Sequence, residues 1–109
     1  MRRSRKTDWM RRLVRENSLS SNDFILPIFV TEGKNKKIPI KTMPEVFRYS
    51  VDKLGQIVDR ALKLKIPMVA IFPQTNSGLK DSYGSEALNE NNLVCKAIRK
   101  IKDKYKNEI

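Results

Sequence analysis

Two short apolar runs, separated by one strongly amphipathic stretch, limit what this chain can fold into more than any other feature. Residues 24–30 read Phe-Ile-Leu-Pro-Ile-Phe-Val and residues 68–72 read Met-Val-Ala-Ile-Phe. Nearly all of these are apolar, β-branched or aromatic, which suits strands buried on both faces. Between the runs, about 51–65 carries Val51, Leu54, Ile57, Val58, Ala61, Leu62 and Leu64 at helical spacing. A further helical pattern, about 90–106, has Leu93, Val94, Ala97, Ile98, Ile101 and Tyr105 on its apolar side. Strand and helix in alternation predict a parallel sheet with right-handed crossovers, an α/β fold.

The intervening residues are punctuation or arm. Residues 1–6 are charged and aperiodic, and Thr7 is a candidate N-cap for a short helix over 8–16 with Asp8 in its first turn. Trp9, Met10, Leu13 and Val14 form one apolar stripe there. So short a helix needs a partner to pack on, either the body of this chain or a neighbouring subunit. Residues 18–23 read as a polar turn and 33–37 as another, while 38–40 and 43–47 form an extended excursion interrupted by prolines. Ser50 is the expected cap of the 51–65 helix, Pro67 follows that helix, and Gly78 and Gly84 mark turns in the loop 73–89. Pro27 belongs at an edge or a bulge, because it cannot donate to a ladder. Two parallel strands with both edges open do not complete a domain, so the pattern reads as an incomplete α/β fold.

Charge tempts a nucleic-acid reading. The net charge is +11, but residues 1–15 hold +6 and 96–106 hold +5, leaving the middle near neutral. The excess therefore sits on an arm and one terminal helix rather than along a groove, which argues against nucleic acid as partner. Hydrophobic residues at 39% and charged ones at 32% describe a folding, non-membrane sequence. The run 24–30 is too short to span a bilayer, and no apolar signal segment follows the basic N-terminus. The lone cysteine, Cys95, forms no internal disulfide and fits a reducing cytoplasm.

Candidate chemistry is sparse. With no histidine, Ser-His and Cys-His nucleophiles and histidine metal sites are absent. Asp81 and Glu86 are the one carboxylate pair in a loop after a strand, where a barrel keeps its active face, but capping or a loop ion pair accounts for both. Lys80 could form a Schiff base if desolvated, yet its polar setting beside Asp81 keeps the ammonium charged. Cys95 reads as a half-buried packing residue.

Four blocks, in order, resemble one family. Residues 9–33 (WMRRLVRENSLSSNDFILPIFVTEG), Met43-Pro44 with Val46-Phe47-Arg48, Ile66-Pro67 through Phe72-Pro73, and Lys80-Asp81 with Gly84-Ser85-Glu86-Ala87 are similar to the N-terminal portion of porphobilinogen synthases. Leu88 stands where that family often has an aromatic, and 74–79 is not a close match. The resemblance implies an N-terminal arm, 1–17, and then, over 18–109, the first two β/α units of a (β/α)8 TIM barrel. The barrel is incomplete here because the whole fold takes about 250 residues. It implies condensation of two 5-aminolevulinate molecules to porphobilinogen, with loss of water, in tetrapyrrole biosynthesis. It also implies a cytoplasmic homo-octamer held through the arm, and zinc or magnesium in the full-length enzyme. The family's two Schiff-base lysines and its metal ligands fall beyond Ile109. No catalytic, cofactor-binding or metal residue is therefore expected in 1–109, and the polypeptide alone is expected to be inactive. The competing expectation is a small basic protein that binds RNA or another anion.

Overall fold

The computed structural model describes residues 3–109, so the part of the basic arm at Met1 and Arg2 lies outside the described residues. The two apolar runs become β1 (Ile25–Thr31) and β4 (Met68–Pro73), paired in parallel from Ile25↔Met68 to Val30↔Pro73. Two strands not expected from the sequence, β2 (Lys37–Pro39) and β3 (Phe47–Ser50), extend the sheet to the order β2-β3-β1-β4. β3 runs parallel to β1 from Phe29↔Arg48 to Thr31↔Ser50, and β2 pairs antiparallel to β3. The sheet is thus mixed. Pro39, Pro44 and interspersed lysines hide the two short strands: β2 is an exposed edge strand, where apolar side chains are not required, and β3, though interior, is only four residues long.

Pro27 sits in β1 without breaking a ladder. The Val30 carbonyl accepts from the Gln74 amide at 2.7 Å, so even-numbered residues of β1 turn their backbone groups toward β4. Pro27 therefore points its missing donor the other way, where β3 does not begin until Phe29.

Alternation divides the sheet into two unlike faces. Leu26, Ile28, Val30, Phe47, Tyr49, Val69 and Ile71 meet the helices, packing with Leu54, Val58, Ala97, Ile101 and Tyr105. Burial on both faces was expected; instead, Met68 and Phe72 remain about half exposed at 55% and 50%.

The first of those helices, α2 (Leu54–Lys63), is shorter than the expected 51–65, because Val51–Lys53 is a 3₁₀ turn. Ser50 makes no side-chain cap bond. Its fully buried hydroxyl accepts from the Lys36 amide at 2.9 Å and donates to the Lys36 carbonyl at 3.3 Å, tying the loop before β2 to the end of β3. At the far end of α2, the Lys65 amide donates to Leu62 and the Ile66 amide to Ala61. This Schellman closure puts Lys65 at a φ of +57°. Leu64, expected on the apolar side, is the C-cap residue within that closure and is 53% exposed.

The second packed helix, α3 (Leu93–Tyr105), begins three residues later than expected, because the Asn92 side chain caps it by accepting from the Cys95 amide at 2.8 Å. Ile98, at 44% exposure, falls outside its buried stripe. A polar clamp joins the two helices: the Tyr105 hydroxyl donates to Asp59 Oδ1 at 2.5 Å and accepts from Lys104 Nζ at 2.8 Å.

The arm helix, α1 (Asp8–Leu13), is shorter than the expected 8–16 and buries no residue. Thr7 supplies no side-chain cap bond. Trp9 and Leu13 are 58% and 78% exposed, so the apolar stripe does not pack on this chain's own body. The radius of gyration, 19.2 Å, exceeds the roughly 13 Å of a compact chain of this length.

Candidate functional site

The face of the sheet away from the helices carries one row set by register. Arg48 pairs with Phe29, and Phe29 pairs with Phe72, so the three side chains lie side by side. The two rings stack with centroids 5.7 Å apart. At the carboxyl ends of the strands this row opens into a concavity of about 300 Å³, whose walls include Pro73, Gln74, Thr75 and Lys80. Thr31 Oγ1 donates to Gln74 Oε1 at 3.1 Å, which orients the Gln74 side chain.

Of the residues considered from the sequence, the structure brings only Lys80 to this place. Asp81 instead organises its own loop, its Oδ1 accepting from the Ser85 amide at 3.0 Å and the Tyr83 amide at 3.1 Å. Hydrogen bonding from Ser85, then from Tyr83 and Gly84, holds its carboxyl below the ordinary carboxylate value. Glu86 lines a separate cavity of about 390 Å³ with Glu32, Asn92 and Cys95. Its carboxylate accepts from Asn89, and its carbonyl from Asn92, so it serves the turn that leads into α3. Cys95 is half-buried and free.

Arg48 is the residue that sequence reading missed as a site. The alternation Phe47-Arg48-Tyr49 was its signal, since Phe47 and Tyr49 join the helix-side core while Arg48 stands on the opposite face. Zinc or magnesium does not fit here: among the described residues, no three of the His, Cys, Asp and Glu side chains come together as ligands. No helix among those residues is long and apolar enough to cross a membrane.

Parallel strands with helices packed on one face, and a concavity at the strands' carboxyl ends, define an α/β protein of the kind that binds small molecules where its strands end. The chain belongs to the delta-aminolevulinic acid dehydratase family, which it matches over residues 1–109. It is 51% identical over 104 residues to the delta-aminolevulinic acid dehydratase of Bradyrhizobium diazoefficiens, covering 95% of this chain and 30% of that protein. The Ruminiclostridium josui dehydratase is 39% identical, with 95% of this chain and 50% of that protein aligned. Among solved structures, the Toxoplasma gondii enzyme in complex with its reaction product porphobilinogen superposes with a TM-score of 0.84 at 31% identity, covering 97% of this chain and 30% of that one. The chain thus spans between 30% and 50% of the length of these relatives.

Proposed function

We propose that residues 18–109 form the opening β/α units of a (β/α)8 barrel that condenses two 5-aminolevulinate molecules to porphobilinogen, releasing water. The observation that carries this reading is the family match along the whole chain. The one-sided helix layer supports it: a doubly wound sheet takes helices on both faces, whereas a barrel keeps one face for its interior. Within this reading β1 and β4 are successive barrel strands, and β2 with β3 is an insertion between β1 and its crossover helix.

In the proposed enzyme, activation of the substrate carbonyls as Schiff bases requires lysines outside 1–109, and any zinc or magnesium takes its ligands there as well. Residues 1–109 supply barrel wall and assembly surface. The arm, 1–17, reaches a neighbouring subunit of a cytoplasmic homo-octamer, consistent with an apolar stripe that finds no cover in its own chain. The RNA-binding alternative gains nothing from the concavity, whose base-sized stacking surface is a single pair of rings.

The test has two arms. Purified 1–109 given 5-aminolevulinate is expected to yield no porphobilinogen, and the same chain joined to the C-terminal remainder of the Bradyrhizobium relative is expected to yield it. Turnover by 1–109 alone, or a folded but inert chimera, would overturn the reading.

A further inference from the structure

We infer that Lys34, Lys96 and Lys100 form a binding site for a soluble phosphate monoester, in a groove separate from the concavity described above and independent of the reaction proposed there. All three line one groove of about 790 Å³, bounded by the turn after β1, the 3₁₀ turn Val51–Lys53 and the first turns of α3. It shares no lining residue with the concavity beside Arg48. Among the described residues, no salt bridge includes any of these lysines. Lys96 and Lys100 stand four apart on α3, so their ammonium groups are neighbours that repel. An anion held between them turns that repulsion into attraction.

Three carboxylates also line the groove, and two are committed elsewhere. Asp52 accepts from the Asn35 amide at 2.9 Å, and Glu86 accepts from the Asn89 side chain at 3.3 Å. Glu32 remains, and its charge opposes an anion. Asn91 adds a donor: its Oδ1 accepts from Arg99 at 3.4 Å, which leaves its amide hydrogens free. Ammonium groups are compact point charges without a planar fork, so they suit a tetrahedral phosphate of nearly two charges better than a flat carboxylate. Val51, Leu79 and Leu93 give the groove an apolar wall for the ester's organic group, which inorganic phosphate would leave unused. The volume is that of sites for small organic molecules.

The site can be tested by titrating the 109-residue chain with 1-naphthyl phosphate at about 0.15 M salt, where distant charges are screened, while the amide resonances of Lys34, Asn91 and Lys96 are followed. Each of Lys34→Gln, Lys96→Gln and Lys100→Gln is expected to weaken binding roughly two- to five-fold, as loss of one exposed ion pair does, and the triple variant about ten-fold or more. Lys63→Gln removes the same charge from α2 outside the groove and is expected to leave the affinity unchanged. Glu32→Gln is expected to tighten binding roughly two-fold, a gain that a damaged fold does not produce. 1-Naphthol, lacking the charge, and inorganic phosphate, lacking the ring, should each bind about ten-fold more weakly than the ester. Circular dichroism checks that each variant is folded; should the triple variant not fold, the single variants and Glu32→Gln decide the matter.

A loss in Lys63→Gln equal to that in Lys96→Gln would reduce the binding to net charge and overturn the site. So would an unchanged affinity in the folded triple variant, or naphthol bound as tightly as its phosphate. Inorganic phosphate bound as tightly as the ester would overturn the role of the apolar wall. Vesicles of phosphatidic acid bound more tightly than the ester, with the same dependence on the three lysines, would overturn the choice of a soluble ligand.

Discussion

Ser50 offers the sharpest test of how this fold is held, because its two possible roles respond oppositely to one substitution. As a helix cap it would tolerate aspartate at least as well as serine. As a buried tie, its hydroxyl is fully enclosed and serves both the amide and the carbonyl of Lys36. In Ser50→Ala the Lys36 carbonyl keeps its bond from the Ser50 amide, at 3.1 Å, but the Lys36 amide is orphaned. One unsatisfied, part-buried donor costs about 1–2 kcal/mol, which lowers the melting temperature of a domain this size by roughly 5–15 °C. Ser50→Asp is expected to be worse, since it puts a carboxylate where no cation is paired with it. Urea and thermal melts rank the variants, and hydrogen exchange at the Lys36 amide reports the tie directly, with faster exchange expected in Ser50→Ala. An aspartate variant as stable as wild type, with Lys36 protection unchanged in the alanine variant, would refute the buried tie.

Other outcomes follow from separate parts of the molecule. Lys65→Gly is expected to raise stability by up to about 1 kcal/mol, because a left-handed φ is strained for lysine and ordinary for glycine; no gain in the urea midpoint would count against the Schellman closure. The Asp59 carboxyl is held below its ordinary value by the Tyr105 hydroxyl and then by Lys104. Its stabilising contribution is therefore complete above an unfolded value near 4 and fades as pH falls through the lower folded value. The melting-temperature gap between wild type and Asp59→Asn should accordingly narrow below about pH 4, and a gap that widens there would contradict the clamp. Deleting 1–15 should leave the far-UV spectrum of the sheet region intact and reduce assembly size in sedimentation; loss of folding would mean that α1 packs on its own body.

How much of this was legible beforehand depended on which residues carry periodic burial. β1, β4, α2 and α3 announce themselves because their apolar positions recur at the spacing of a buried face, as Ile28 with Val30 and Leu54 with Val58 do. β2 is exposed along its length and β3 turns only Phe47 and Tyr49 to the core, too short an alternation to announce a strand. The start of α2 was misjudged because Ser50 bonds Lys36 instead of capping, and that of α3 because Asn92 is its cap. Arg48 was visible only as part of a family motif, because its significance comes from the neighbours that two strand pairings place beside it.

The single proline in β1 has a consequence while the chain is still being made. As the chain leaves the ribosome, β1 is available first, and folding during synthesis proceeds from the N-terminal side. One flank of β1 offers its carbonyls and amides to β4 without interruption, while the other meets Pro27 before β3 takes over at Phe29. A strand arriving at residues 25–28 on that second flank finds a missing donor. Premature pairing of two unfinished chains through residues 25–28 on that flank is thereby discouraged from the moment the strand is made.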